Sequence, residues 1–460
     1  MDYINTTEHY IRKGEEMVEG KEKVKGNGSF SSTFGFILAC VGSAVGLGNI
    51  WLFPYRLGQY GGAAFLIPYL LFVVLFGYVG LSAEFAIGRM AKTGTLGAYK
   101  LCWEKRKHNR IGRIMGWIPL VGSIGIATGY AVIMGWVLRS LWGAISGQLF
   151  ALPSAQYFSQ AAGDFGSIPW HITIIVVTVW LLMSGTVSRI EKLNKILIPM
   201  FFVLFALLAV RVYFLEGAME GYRFLFIPKW EALLNIETWI MAMGQAFFSL
   251  SITGSGMIVY GSYLSKKEDI IGASLRTAVF DTSASILSAL AIMPAVFAFG
   301  IEPSSGPSLM FMTMPEIFKQ MPFGQVLASI FFISVLFAGI TSLINMFEAV
   351  IESVQNRFVL NRKVAALICG VIALTVGIFI ENEVKVGHFM DIITIIVVPI
   401  GAVLGAISIY YVLGKGKIEE ELNIGKKKKV SAFFSHTARV VYVPLTILIF
   451  ILGLIYKGIG

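Results

Sequence analysis

The sequence predicts an all-α polytopic membrane protein: two inverted five-helix repeats, helices 1–5 and 6–10, plus an eleventh helix. Three observations carry this reading. The 460 residues are 56% hydrophobic and 14% charged, with a mean hydropathy of +0.75, whereas soluble domains run at roughly 45–50% apolar and about 25% charged. Apolar stretches long enough to cross a bilayer recur along the chain, separated by segments where Lys and Arg concentrate. Two stretches, the first and the sixth, carry glycines and hydroxyl residues at their centres. They stand at corresponding positions of two five-helix halves, which begin on opposite sides of the membrane because five is odd.

The first span runs from about Phe34 to Phe53, and its middle reads Gly42-Ser-Ala-Val-Gly-Leu-Gly-Asn49. Glycine weakens a helix interior, and backbone freed at membrane depth is tolerated only where it is buried or lines a cavity. Gly42 and Gly46 alone suit a close helix–helix contact. Packing does not ask for Asn49 and a third glycine, so an unwound binding segment is expected. A second span, Phe65–Ile87, has Glu84 in its last turns, and the basic loop from Arg89 to Arg113 is placed in the cytoplasm. Two spans precede that loop, so the amino terminus is cytoplasmic too. The third span, about Met115–Trp142, holds Tyr130 near its middle. Spans four (about Ile168–Met183) and five (Ile196–Leu215) flank Arg189, Lys192 and Lys195, again inside.

Span six, about Trp239–Tyr263, is centred on Ser249-Leu-Ser-Ile-Thr-Gly-Ser-Gly256, a cluster costly in lipid unless it faces a cavity. Span seven (Ile271–Phe299) places Asp281 and Ser285 one turn apart on one face. Span eight (Phe323–Val350) contains Thr341, Ser342, Asn345 and Glu348. Spans nine (Val364–Ile380), ten (Ile392–Leu413) and eleven (Val440–Leu454) follow, with the run Lys426–Lys429 read as a lipid-surface anchor. The organisation is therefore a cytoplasmic tail (1–28), a first repeat (29–216), an external loop and second repeat (217–413), a basic cytoplasmic linker (414–439) and a last helix with an external end (440–460).

The net charge of +10 lies in inter-helix segments, where it sets topology and does not point to nucleic acid. Cys40, Cys102 and Cys369 are far apart and have no metal-ligand spacing, so no disulfide framework is expected. Residues 1–28 carry no apolar signal region. No paired carboxylates, nucleophile–base set or phosphate loop appears in the spans, so an enzyme is not indicated. His171 and His388 sit near helix ends, where solvation explains them. Paired broken helices in inverted halves point to a secondary transporter with its site between the breaks, multi-pass in the inner (plasma) membrane.

The residues also carry a resemblance. Gly42-Ser-Ala-Val-Gly-Leu-Gly-Asn49-Ile-Trp51, followed by Phe53-Pro54-Tyr55 and Gly61-Gly-Ala-Ala-Phe-Leu-Ile-Pro68-Tyr69, resembles the first two helices of neurotransmitter:sodium symporters. Gly244-Gln-Ala-Phe-Phe-Ser-Leu-Ser251, Tyr260-Gly-Ser-Tyr263, Phe297-Ala-Phe-Gly300 and Ala338-Gly-Ile-Thr-Ser342 resemble later motifs of that family, in order from about Phe34 to Leu413. About eleven spans is similar to its bacterial amino-acid transporters.

The resemblance implies Na⁺-driven amino-acid uptake by alternating access, with amino acid, Na⁺ and bilayer as partners. One Na⁺ would use the Ala44 carbonyl, Asn49, Ser249 and Asp281. A second would use the carbonyls of Gly42, Val45 and Ala338 with the hydroxyls of Thr341 and Ser342. Hard cations want such oxygen ligands. The substrate carboxylate would meet amides near Gly46–Gly48 and the Tyr130 hydroxyl, and its ammonium the carbonyls around Phe248 and Ser251. Ala44, Ser249 and Ser342 would border the same pocket. Gly46 stands where monoamine-transporting relatives place an aspartate, which argues for an amino acid.

Departures from the family pattern set further expectations. Gly254 stands where relatives often have a bulky pocket residue, which predicts either an enlarged pocket walled by Ile126, Phe248 and Met346, with a large apolar or aromatic substrate, or a local shift of the unwound segment. The usual external gate Arg is Leu52, so Arg56, one turn beyond, is expected to pair with Asp391, with Tyr130 and Phe248 completing the gate. The inner Arg–Asp pair becomes Asn27 and Asn356, with Lys25 as a substitute. Tyr69, Gln245, Ser249 and Ser285 resemble chloride ligands. Asp281 already places a negative charge beside Ser285, so chloride is not expected to be required. The alternative reading is a non-transporting amino-acid sensor or accessory subunit that keeps the site without tight gates.

Overall fold

The computed structural model describes residues 29–459 apart from 105, 107, 185, 186, 302–305, 415, 425, 427, 428 and 432. The tail 1–28, with Lys25 and Asn27, and part of the basic run Lys426–Lys429 lie outside the described residues.

Among the described residues eight helices are long and apolar enough to cross a membrane. They are α2 (Gly62–Ala91), α3 (Arg110–Ser146), α5 (Val187–Tyr213), α7 (Ile270–Ala298), α8 (Gly324–Phe358), α9 (Arg362–Phe379), α10 (Glu383–Val412) and α11 (Phe433–Ile455). A further span is broken and bent by 60° between α1a (Thr33–Ala44) and α1b (Gly48–Gln59). The shorter α4 (Ile168–Met183) and the interrupted pair α6a (Ile236–Ser249) and α6b (Gly256–Ser262) complete the order expected from the sequence. Several helices extend beyond the expected bounds: α11 begins at Phe433, and the linker before it holds a short helix, Lys417–Asn423.

The apolar residues sort by environment. Val203, Leu207 and Val210 of α5 and Val371 and Ile372 of α9 are exposed, an arrangement that water disfavours and lipid accepts. Inside, α3 packs along α8, and α1a is enclosed by α5, α7 and α8. The two breaks are therefore shielded from lipid, as freed backbone requires.

At the first break Val45 is extended (φ −70°, ψ 116°) and its amide still donates to Val41 O at 2.7 Å. At the second, Ser251 (φ 53°) and Gly254 (φ 74°) turn left-handed between α6a and α6b. The three cysteines are free and buried. The solvation reading of His171 does not hold: it is fully buried, and neither ring nitrogen has a hydrogen-bond partner. The N-terminal placement of His171 in α4 faces it inward against Gly135 and Gly377, whose missing side chains make room for it.

Candidate substrate and ion site

Two amides freed at the first break find side-chain acceptors. The Gly46 amide donates to Asn49 Oδ1 at 2.9 Å and the Leu47 amide to the Tyr130 hydroxyl at 3.1 Å. The Ser251 hydroxyl donates to Ser43 O at 3.1 Å, so the two breaks touch. The Gly254 amide donates to Glu84 Oε1 at 2.8 Å, fixing the second break from α2. Glu84 is buried and its other oxygen has no partner. An acid inside an apolar span is itself a signal, and the sequence reading placed Glu84 without giving it this task.

Two polar clusters flank the breaks. In the first, Asn49 Nδ2 lies 2.8 Å from Asp281 Oδ1, 2.8 Å from Ser285 Oγ and 3.2 Å from Ser249 Oγ. Ser249 donates to Asp281 Oδ2 at 2.5 Å. In the second, Ser342 Oγ stands 3.1 Å from Gly42 O, 3.2 Å from Ser43 O and 2.9 Å from Val45 O. One hydroxyl carries one proton, so it cannot serve three carbonyls at once. The excess of acceptors in a buried place is a fit to a small hard cation. Thr341 Oγ1 turns back to Ala338 O at 2.9 Å, the bond expected of a helical threonine, while its β-carbon closes on Gly42.

Between these clusters lies a cavity of about 230 Å³, several times the roughly 30 Å³ that one water occupies in the liquid. Ile126, Phe248 and Met346 supply its apolar wall; Tyr130, Ser251 and Ser342 are among its polar groups, and Ala44, Gly46, Gly48, Asn49 and Ser249 border it. A β-carbon on Gly46 would sit 2.8 Å from the Tyr130 oxygen and 3.1 Å from Ser342 Oγ, so a side chain there would displace those hydroxyls. Gln245, Asn345, Met390 and Thr394 also border it. The sequence reading missed these four as pocket residues, because a Met or Thr in an apolar span looks like any core residue.

Two expectations are corrected. Gly254 is not a wall of the cavity. Its φ of 74° suits glycine, and a β-carbon there would stand 2.7 Å from Gly401 O and 2.8 Å from the Tyr99 hydroxyl. The glycine serves the turn, so its presence adds no pocket volume. Arg56 forms no ion pair with Asp391 among the described residues. Its Nη1 instead donates to Ile459 O at 2.7 Å and lies 3.3 Å from Gln245 Oε1, while Asp391 is exposed. On the opposite side, Asn356 donates to the buried Glu352, which accepts from the Gly94 amide at 2.7 Å. The base of α1a is tied to Glu191 of α5 by the Ser31 amide at 2.7 Å and the Ser31 hydroxyl at 2.5 Å.

Comparisons with known proteins agree with this architecture. The chain is 33% identical over 444 residues to the sodium-dependent transporter YhdH of Bacillus subtilis, covering 93% of this chain and 97% of that one. It is 32% identical to a sodium-dependent transporter of Methanocaldococcus jannaschii (92% and 90% covered) and 28% identical to the sodium-dependent dopamine transporter of Bos taurus (72% and 54%). Among solved structures, MhsT in complex with L-phenylalanine superposes with a TM-score of 0.80 at 34% identity, covering 92% of this chain and 99% of that one. The model of the sodium:neurotransmitter symporter family matches residues 27–154 and 150–458. The chain is a multi-pass membrane protein and belongs to the sodium:neurotransmitter symporter family, a family of transporters and not of enzymes.

Proposed function

We propose that the protein is a Na⁺-coupled symporter that takes up a large apolar or aromatic amino acid by alternating access. The observation that carries this is the cavity bordered by both polar clusters: Asn49 and Ser249 on one side, Ser342 on the other, with a shared unwound backbone. A cation in either cluster would stiffen the segment that also meets the substrate, which couples ion to amino acid. Ala44, Asn49, Ser249 and Asp281 would hold one Na⁺, with the Asn49 side-chain amide turned so that its oxygen, which here accepts from the Gly46 amide, faces the ion. The carbonyls of Gly42, Val45 and Ala338 with the Thr341 and Ser342 hydroxyls would hold the other. The substrate carboxylate would approach the half-helix amides around Gly46–Gly48 and the Tyr130 hydroxyl, and Phe248 would close over it.

The size preference rests on Ile126, Phe248 and Met346, and on the phenylalanine complex of the 34% identical MhsT; Gly254 no longer supports it. Chloride is not required in this reading, because Asp281 shares its donor, Asn49 Nδ2, with Ser285. A second anion there would face an existing carboxylate. The amino terminus is cytoplasmic, the far end of α11 external, and the membrane the plasma (inner) membrane. The test is a panel of labelled amino acids in proteoliposomes: phenylalanine, tryptophan and leucine are accumulated with Na⁺, whereas preference for glycine or alanine, or collapse in gluconate, overturns the size or chloride reading respectively. The sensor reading is favoured by one observation, the absent Arg56–Asp391 pair, and predicts binding without accumulation.

A further inference from the structure

Arg56 is a buried cation, 8% exposed, whose short bond runs to a backbone carbonyl of Ile459, a residue 403 positions away. A buried guanidinium demands acceptors, and a charge-assisted bond to a carbonyl is among the stronger ones available. Three features build the contact. The chain leaves α11 through left-handed Lys457 (φ 53°) and Gly458 (φ 112°), and the Gly458 amide donates to Gly453 O at 2.9 Å, a helix-ending turn that folds the next residue back. Ile459 is consequently only 1% exposed. On α6a, a β-carbon on Gly244 would overlap the Ile459 carbonyl oxygen, so its absence admits the segment. Ile459 and Phe248 border the same residual gap of about 10 Å³, with Thr394, Ile395 and Pro399. That leaves room for about one water at most.

We propose that Lys457–Ile459 is the outer closure element of this transporter: the Ile459 carbonyl positions Arg56 beside Gln245 over the cavity, and the segment backs the Phe248 lid. The role that a carboxylate on α10 would play is taken by a neutral carbonyl from the turn after α11. A neutral acceptor leaves no unpaired anion when it parts from Arg56, so opening needs only the displacement of a short segment. This inference rests on the symport reading and on its outward placement of that segment.

The test uses the full-length protein carrying Leu52→Cys as a reporter at the cavity mouth; the native cysteines are buried. In this parent, Na⁺ with phenylalanine slows modification by a membrane-impermeant thiol reagent at least tenfold. Deleting residues 457–460 reduces that protection to less than twofold and speeds dissociation of bound phenylalanine at least tenfold, while the half-saturating Na⁺ concentration moves less than threefold. Arg56→Gln gives the same two effects, and the double variant exceeds neither single one, as members of one contact require. Gly458→Val, in an otherwise intact chain, disfavours the left-handed turn and reproduces the deletion if the shortened protein does not fold. Unchanged protection and dissociation in the deletion, or in Gly458→Val, overturns the proposal. A parent with no Na⁺-dependent phenylalanine binding instead overturns the symport reading beneath it.

Discussion

Ser342→Ala isolates the second cation site. The hydroxyl meets three carbonyl oxygens of the first break within 2.9–3.2 Å and is 2% exposed. A lost hydrogen bond involving a charged group costs about 1.5–3 kcal/mol, and each 1.4 kcal/mol is about a factor of ten in an equilibrium constant. If Ser342 is a Na⁺ ligand, its loss raises the half-saturating Na⁺ concentration for phenylalanine binding by roughly ten- to hundredfold. Ser334→Ala is the control: it lies on the same helix, is equally buried and bonds back to Ile330 O at 2.5 Å, away from the cavity. The assay is binding of labelled phenylalanine across a Na⁺ titration at constant ionic strength, with melting temperatures measured in Na⁺ and in K⁺. A Ser342→Ala protein that melts lower by the same amount in both salts, with its Na⁺ titration unmoved, would refute the ligand role and leave only a hydrogen bond across α1 and α8.

Three further perturbations follow from the geometry. Gly46→Ala places a β-carbon 2.8 Å from the Tyr130 oxygen; overpacking of this kind costs about 1–3 kcal/mol, so phenylalanine binding weakens about tenfold or more in the same assay. Glu84→Ala leaves the Gly254 amide unpaired, at about 1–3 kcal/mol, and lowers both melting temperature and uptake, whereas Glu84→Gln, which keeps an acceptor, retains most of each. Glu381, between α9 and α10, is buried, and burial pushes its carboxyl up to about 7, with the nearby Ser167 amide and Arg139 pulling down less strongly. A raised folded-state value means that its stabilising contribution is complete below the ordinary carboxylate range and is lost as pH rises through about 7. Melting temperature should therefore fall by a few degrees between pH 5 and 8, and Glu381→Gln should flatten that slope.

The spans and both breaks were readable because glycines and hydroxyls inside apolar stretches are costly anomalies that only a cavity explains. Asn49 stood out on the same ground, whereas the ion roles proposed for Asp281 and Ser342 came only from the resemblance to the symporter family, because a lone acid or a helical hydroxyl has an ordinary packing explanation. Arg56 drew notice as a cation beside the expected gate, but its acceptor was read as Asp391, since a backbone carbonyl has no side-chain signature and Ile459 looks like any residue after an apolar helix. Gly254 misled because a missing side chain has two readings: space for a ligand, or a left-handed turn pressed against Tyr99 and Gly401. Only backbone geometry separates them. Glu84 showed itself as an acid in lipid, but a partner that is an amide of an unwound segment becomes visible only once the segment is folded.

The most direct test of the account is accumulation of labelled phenylalanine in proteoliposomes under an imposed inward Na⁺ gradient. Accumulation above the equilibrium level, abolished when K⁺ replaces Na⁺ or when the gradient is dissipated, is the predicted result. Na⁺-dependent binding with no accumulation at any gradient would contradict it and leave the chain a sensor built on a transporter's site.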